Sequence, residues 1–358
     1  MQEADIVGSS SCSCRKRRQI KFMKIAVLSP ITWRTPPQMY GPWEQVASNI
    51  TEGLVENGID ATLFATGDSI TRGKLEYIWE HPYAEDPGKD YKVMECLHIS
   101  HLMEQAGTFD LIHNNFDFLP LTYSHLVSTP MLTTIHGFSS PRILPVYKKY
   151  NSSNFYVSIS DSDRSEELDY AATVYNGIHT EEFTFCPQPK EYLLFFGRIH
   201  PEKGTYESIQ IAKQSGRKLI ISGLVQDRQY FDNKIKPFLN DPDITYIGNS
   251  GPRERDKLLG EAYALLHPIS FEEPFGLSIA ESMLCGTPVI AFNKGSMKEL
   301  IRHGKTGFLV DTIGEAAQAV NDIKSIDRQY CRTYAASKFS RQTMIEGYLE
   351  VYRRILRQ

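Results

Sequence analysis

The 358-residue chain contains no apolar run approaching the ~20 residues that a membrane-spanning helix requires. An integral membrane protein is thereby set aside. Cysteines are few, at 12, 14, 96, 186, 285 and 331, and they are scattered. Only Cys12 and Cys14 stand close, one residue apart and without a second pair, which is poor zinc spacing. A reduced, cytoplasmic protein fits this usage. An excess of positive charge is missing too: 39 Lys and Arg against 43 Asp and Glu leave a net charge of −4. No general attraction to nucleic acid or to an anionic surface follows. No tandem repeat occurs, and no Gly-x-Gly-x-x-Gly follows the first apolar strand, where Ser29-Pro-Ile-Thr stands instead. A dinucleotide-dependent dehydrogenase lacks its fingerprint.

What is present is an ordinary globular composition, 41% hydrophobic and 23% charged, on a chain long enough for two domains. Residues 1–22 stand apart. Ser9 to Arg18 is polar and basic, and Met23-Lys24-Ile25 reads as a natural start. A disordered extension is expected there. A basic anchor to acidic lipid, giving peripheral contact at the inner face of a membrane, is the sharper alternative; a targeting signal lacks its apolar core.

Beyond residue 23, short apolar runs alternate with amphipathic stretches. Strands are expected at Ile25–Leu28, Ala61–Ala65, Leu111–His113, Met131–Ile135, Phe155–Ile159 and Ala172–Val174. A second series covers Tyr192–Phe196, Lys218–Ser222, Ile244–Ile247, Ala264–His267, Pro288–Ala291 and Phe308–Val310. Helices are expected between them, at Pro42–Glu56, Tyr91–Gln105, Ser162–Glu167, Thr205–Gln214, Pro252–Glu261, Leu277–Leu284 and Glu315–Ser325. Such alternation implies parallel sheets covered on both faces, and two series imply two doubly wound α/β domains. The boundary falls near 180–190, where Phe185-Cys-Pro-Gln-Pro-Lys190 has two prolines and no periodicity. The domains so drawn are 23–182 and 190–340. A terminal helix over 341–358 carries apolar Met344, Ile345, Tyr348, Val351, Tyr352 and Ile355, and needs a surface to cover.

Two segments carry chemistry. In Glu273-Pro-Phe-Gly-Leu-Ser-Ile-Ala-Glu281 two carboxylates flank the start of a helix at Gly276 and Leu277. Free N–H groups at a helix start attract phosphate, and fixed carboxylates suit sugar hydroxyls, so the segment reads as a sugar-nucleotide site. In Leu193-Leu-Phe-Phe-Gly-Arg-Ile-His-Pro-Glu-Lys-Gly204 a strand ends at Gly197 and a loop presents Arg198 and Lys203. Beyond the carboxyl end of a parallel strand, such cations can grip a diphosphate. Taken alone, that loop reads first as a solvated basic turn.

Together, the Gly-Arg-x-x-x-x-Lys-Gly segment and Glu-x₇-Glu resemble the retaining GT-B glycosyltransferases of family 4. The resemblance extends over Gly286-Thr-Pro-Val-Ile-Ala291, Glu299-Leu-Ile, Gly304-Lys-Thr-Gly-Phe-Leu-Val310, Thr134-Ile-His-Gly137, Tyr175-Asn-Gly-Ile178 and Pro36 to Glu44. It implies two Rossmann-like domains facing across a cleft, with the terminal helix returning to the first. It also implies transfer of a hexosyl unit from a nucleotide-diphosphate sugar (UDP-, GDP- or ADP-linked) to a hydroxyl acceptor, with no metal or other cofactor. By the same resemblance Arg198 and Lys203 bind the diphosphate, Glu281 the ribose and Glu273 the donor sugar. Phe275, Gly276 and Leu277 offer backbone contacts, His136 lies near the reacting face of the sugar, and Gly41 sits beside diphosphate and acceptor. One departure is Gly41-Pro42 where many relatives have Gly-Gly, which removes an N–H from that loop.

Other residues carry plainer expectations. Trp33 and Trp43 suit stacking on an acceptor sugar, or a packing role for Trp43. Asp161 and Asp163 are expected to cap the helix after them, and His267 to have no role; Arg253 and Arg255 lie in a loop that in similar glycosyltransferases approaches the nucleobase, with surface charge the favoured reading for both. A sugar-nucleotide epimerase of similar fold and a catalytically inactive sugar-binding scaffold are the competing functions, since fold does not fix chemistry.

Overall fold

The computed structural model describes residues 23–86, 88–138 and 140–357. The basic segment before Met23 lies outside them. Two parallel sheets are built from thirteen strands among these residues. The first contains β1 (Lys24–Leu28), β2 (Asp60–Phe64), β3 (Lys74–Glu76), β4 (Leu111–Asn114), β5 (Met131–Ile135), β6 (Phe155–Ser158) and β7 (Tyr170–Thr173), in the order β3-β2-β1-β4-β5-β6-β7. The second contains β8 (Tyr192–Phe196), β9 (Lys218–Ser222), β10 (Ile244–Tyr246), β11 (Ala264–His267), β12 (Val289–Phe292) and β13 (Gly307–Val310), in the order β10-β9-β8-β11-β12-β13. Each order reverses once, between β1 and β4 and between β8 and β11. These are the topological switch points where doubly wound sheets open a crevice.

The apolar runs form strands because both sheet faces are covered: β1, β4, β5, β8 and β11 are buried along nearly their whole length. Helices α1 (Pro42–Glu56) and α2 (Tyr91–Met103) belong to the first sheet, as does the short α3 (Leu144–Tyr150). Those of the second are α4 (Thr205–Ser215), α5 (Pro252–Glu261), α6 (Leu277–Leu284), α7 (Ile313–Asp322) and α8 (Arg328–Phe339). Among the described residues no helix is long and apolar enough to cross a membrane.

The final helix, α9 (Arg341–Ile355), returns to the first sheet. Met344, Ile345, Tyr348, Leu349, Val351, Tyr352 and Ile355 join the core made by β1, β2 and α1. Gly53 of α1 permits this approach, because a Cβ there would stand 2.4 Å from Ile345 Cγ1. A buried polar chain fixes the register. The Tyr352 hydroxyl meets His113 Nδ1 at 2.6 Å, His113 Nε2 meets Thr134 Oγ1 at 2.7 Å, and Thr134 meets the Tyr348 hydroxyl at 2.8 Å.

The helix expected over Ser162–Glu167 does not form; turns occupy that stretch. Its first N–H groups go instead to the second half of the chain. Glu299 accepts from Asp161 N and Ser162 N, both at 2.8 Å, and from the Tyr175 hydroxyl at 3.0 Å. A carboxylate from elsewhere satisfies donors that a helix start would otherwise leave open. Asp161 and Asp163 therefore cap nothing. The last strand of the first sheet also begins two residues earlier than expected, at Tyr170.

Candidate active site

Between the two sheets lies a cleft of 680 Å³, within the range of small-ligand sites. Gly41, His136, Arg198, Lys203, Glu273, Phe275, Gly276, Leu277 and Glu281 all line it. Their convergence follows from topology. Gly41 lies in the segment after β1, His136 directly after β5, Arg198 after β8 and Glu273 after β11, all at carboxyl ends of parallel strands. Two glycines set the close approaches. Gly204 has φ +77, and a Cβ there would lie 2.0 Å from the Pro268 carbonyl oxygen, so the Lys203 loop sits against the end of β11. Gly137 has φ +109, and its Cβ would stand 2.6 Å from Pro274 Cγ, where the His136 and Glu273 loops meet across the cleft.

The ammonium of Lys203 pairs with the Glu273 carboxylate, and the two side chains are only 15% and 12% exposed. Lys203 also lies over the Phe271 ring, 4.6 Å from its centroid. His267 Nε2 stands 3.7 Å from Glu273 Oε2, too far for a hydrogen bond. Burial alone would raise the Glu273 carboxyl, but His267 and Lys203 outweigh it and hold the pKa at about 2. Glu273 is therefore a fixed carboxylate. Its loop is tied by Ser296 N donating to the Glu273 carbonyl at 3.0 Å and Ser296 Oγ to that of Phe275 at 2.8 Å.

Glu281, on α6, is buried, which raises its pKa; Arg255 works the other way, with Nη1 3.2 Å from Oε1. Arg255 departs from expectation. It is not a surface charge but a wall of the cleft, 18% exposed, lying over the Phe183 ring. Arg253 is exposed, as expected. His267 departs likewise: it lines the cleft beside Glu273. Their carboxylate partners lie 26 and 6 positions away on other elements, so neither ion contact is readable from local sequence.

His136 is buried, and burial holds its pKa down at about 3, so the imidazole is neutral. Its Nε2 meets Asn115 Oδ1 at 3.0 Å, and Trp43 stacks on the ring at 5.7 Å between centroids. Trp43 thus both packs and borders the cleft. Arg198 donates to Gln226. At its N-terminus α6 begins after Gly276 (φ +85), and no side chain caps it. Its first N–H groups and the two cations of the β8 loop give one wall a positive potential suited to phosphate. Three buried polar atoms of cleft residues have no hydrogen-bond partner: Asn176 Oδ1, Arg255 Nε and His267 Nε2. Native interiors rarely leave such groups without a protein, water or ligand partner.

Solved structures share this fold. Sucrose-phosphate synthase from Thermosynechococcus elongatus superposes with a TM-score of 0.76 at 17% identity, over 93% of this chain and 99% of that one. Anabaena HepE in complex with UDP and glucose gives 0.71 at 20%, over 93% and 100%. The fold is that of the GT-B glycosyltransferases. Residues 181–338 match the family described as glycosyl transferases group 1; this glycosyltransferase domain carries Arg198, Lys203, Glu273 and Glu281, and with the relatives that follow it makes the protein a glycosyltransferase. Among curated relatives, an uncharacterized glycosyltransferase of Methanocaldococcus jannaschii is 24% identical over 80% of this chain and 85% of its own. D-inositol 3-phosphate glycosyltransferase of Pseudarthrobacter chlorophenolicus is 22% identical over 80% and 83%.

Proposed function

We propose that this protein is a retaining, family 4 glycosyltransferase that moves a hexosyl unit from a nucleotide-diphosphate sugar to a hydroxyl acceptor. The observation that carries the reading is the meeting, in one cleft, of Arg198, Lys203 and the α6 N-terminus with Glu273, Glu281 and His136. That HepE is solved with UDP, with UDP-glucose and with UDP and glucose supports a uridine donor as the first to try.

In this reading the bond between the anomeric carbon and the diphosphate oxygen breaks while the acceptor oxygen bonds to that carbon on the same face. The acceptor proton passes to the departing diphosphate oxygen. Negative charge grows on the diphosphate, and preorganised cations and N–H groups in a secluded site are the strongest means of stabilising it. Arg198 and Lys203 have that task, and no metal is required for it. Glu273 holds donor-sugar hydroxyls and Glu281 the ribose, each as an acceptor of hydrogen bonds. Paired glycosidase carboxylates work as acid and base; Glu273, held ionised, cannot donate a proton at neutral pH. His136, neutral, lies towards the sugar. Gly41, with Pro42 after it at the start of α1, borders the diphosphate.

The test is a thermal-shift comparison of UDP, GDP and ADP, followed by turnover of the matching glucose donor with the product anomer read by NMR. The correct base at 100 times its Kd stabilises by ~2.7 kcal/mol. Failure of all three to stabilise the protein, or an inverted product, would overturn the proposal.

A further inference from the structure

The glycosyl-transfer reading leaves the acceptor open, and the first-domain half of the cleft has a chemistry of its own. All three Lys and Arg residues on the described walls, Arg198, Lys203 and Arg255, come from the second domain. The first domain contributes none. It contributes carboxylates instead: Glu44 from α1, Glu95 from α2 and Asp117 from the turn after β4. They form a chain rather than a scatter. The Tyr83 hydroxyl donates to Glu95 Oε1 at 3.2 Å and feels Glu44 as well, while Glu95 feels Asp117, which accepts from the Tyr147 hydroxyl.

Every partner that the structure gives Glu44 and Glu95 is neutral. Glu44, only 3% exposed, accepts from the backbone N–H of Trp33 at 3.2 Å, and Glu95 from Tyr83. Neither forms an ion pair with a described residue. A buried carboxylate without a cation is costly, and burial accordingly raises the Glu44 carboxyl to about 7 and the Glu95 carboxyl above its ordinary value. The first domain also gives the walls of the cleft Trp33, Tyr40, which interacts with Arg198, Trp43, Phe116 and Phe118. Aromatic walls stack on the apolar faces of sugar rings and attract cations to their π-faces. Acidic, aromatic and free of Lys and Arg, this half-cleft is the opposite of a phosphate site.

From this juxtaposition we infer that the first domain takes an amine-bearing carbohydrate as acceptor, its ammonium set among Glu44, Glu95 and the aromatic walls, and that phosphorylated acceptors are excluded. The inference rests on the glycosyl-transfer reading. An ammonium would supply the counter-charge that the protein withholds, while a phosphate would stand unpaired among carboxylates.

Three probes differing in one substituent test it: methyl glucosaminide, methyl glucoside and methyl glucoside 6-phosphate, titrated calorimetrically into UDP-saturated protein. The glucosaminide is expected to bind tightest and the phosphate not at all. In Glu95→Gln, and separately in Glu44→Gln, the glucosaminide loses ~10-fold in affinity or more, the size of a lost charge-assisted hydrogen bond. Glucoside binding shifts far less. The UDP thermal shift, read on the same variants, reports that the donor half is folded. Equal binding of the three probes, tighter binding of the phosphate, or Gln variants that keep the preference for the amine would each overturn the inference while UDP binding stands. Loss of UDP binding by the unmodified protein would instead overturn the parent reading, and this one with it.

Discussion

Replacing Lys203 with methionine removes the ammonium and keeps most of the apolar stem, so it isolates the charge. Glu273 would then be a carboxylate 12% exposed with His267 at 3.7 Å as its remaining neighbour. Although burial opposes ionisation, the wild-type pair and His267 bring the carboxyl from 4.5 to about 2. At about 1.4 kcal/mol per pH unit, that is worth ~3 kcal/mol to the folded state, in keeping with the roughly 3–5 kcal/mol lost when a buried pair is robbed of one partner. Allowing His267 a share, Lys203→Met should cost about 2 kcal/mol in urea unfolding at pH 7. Glu273→Gln added to it should recover most of that loss. The sign with pH follows from the depressed value. The contribution is complete above pH 4.5 and disappears as the pH falls towards about 2, so the variant should lose least where the wild type has already lost it. Turnover of a nucleotide sugar should fall by ~100-fold or more in the same variant, the scale of a lost group that stabilises developing charge. A double-mutant coupling below ~0.5 kcal/mol, or near-normal turnover, would refute the reasoning.

Arg255→Ala should leave Glu281, itself 7% exposed, without its cation; a loss of roughly 1–3 kcal/mol in stability and a ~10-fold weaker UDP Kd by calorimetry are expected. Arg198→Ala should spare the fold, since its hydrogen bond to Gln226 is exposed, yet depress kcat ~100-fold in a coupled UDP-release assay. Tyr352→Phe should cost ~1–3 kcal/mol in thermal or urea unfolding, because it strips the buried His113 of a partner and loosens α9 from the first sheet. Exhaustive chelation with EDTA should leave turnover unaltered, and recovery of activity by added manganese would count against diphosphate stabilisation by Arg198 and Lys203.

Most strands were legible because parallel strands covered on both faces must be apolar throughout, as Tyr192–Phe196 and Met131–Ile135 are. The elements that escaped lack that constraint. β3 is three residues long at the sheet edge, with Lys74 and Glu76 at its ends. In α8 the polar and charged positions outnumber the buried ones, Cys331, Tyr334, Ala335 and Phe339, so its apolar face is thin. The helix wrongly expected at Ser162 fails through a long-range competitor, Glu299, more than 130 positions away. At the site, the residues on strand-end loops could be read because the chain itself brings them to the crevice. Arg255 and His267 could not: each acquires its meaning from a carboxylate on another element.

The polarity of the cleft bears on how a donor is oriented, not only on how tightly it is held. Were cations spread over both walls, a diphosphate could lie in either direction between two similar sheets, since both halves end their strands at the same crevice. Here the Lys and Arg side chains of the described walls all belong to the second domain, and His136, the one histidine that the first domain gives those walls, is held neutral. Facing them are carboxylates. A diphosphate placed against the first domain would lose the attraction of Arg198 and Lys203 and meet the acidic groups Glu44 and Glu95 in place of cations. Like charges brought together in a partly dehydrated cleft cost several kcal/mol when fully ionised, which disfavours the reversed pose. On the proposed glycosyl-transfer reading, a phosphate held by Arg198 and Lys203 would leave the sugar the region between Glu273 and His136.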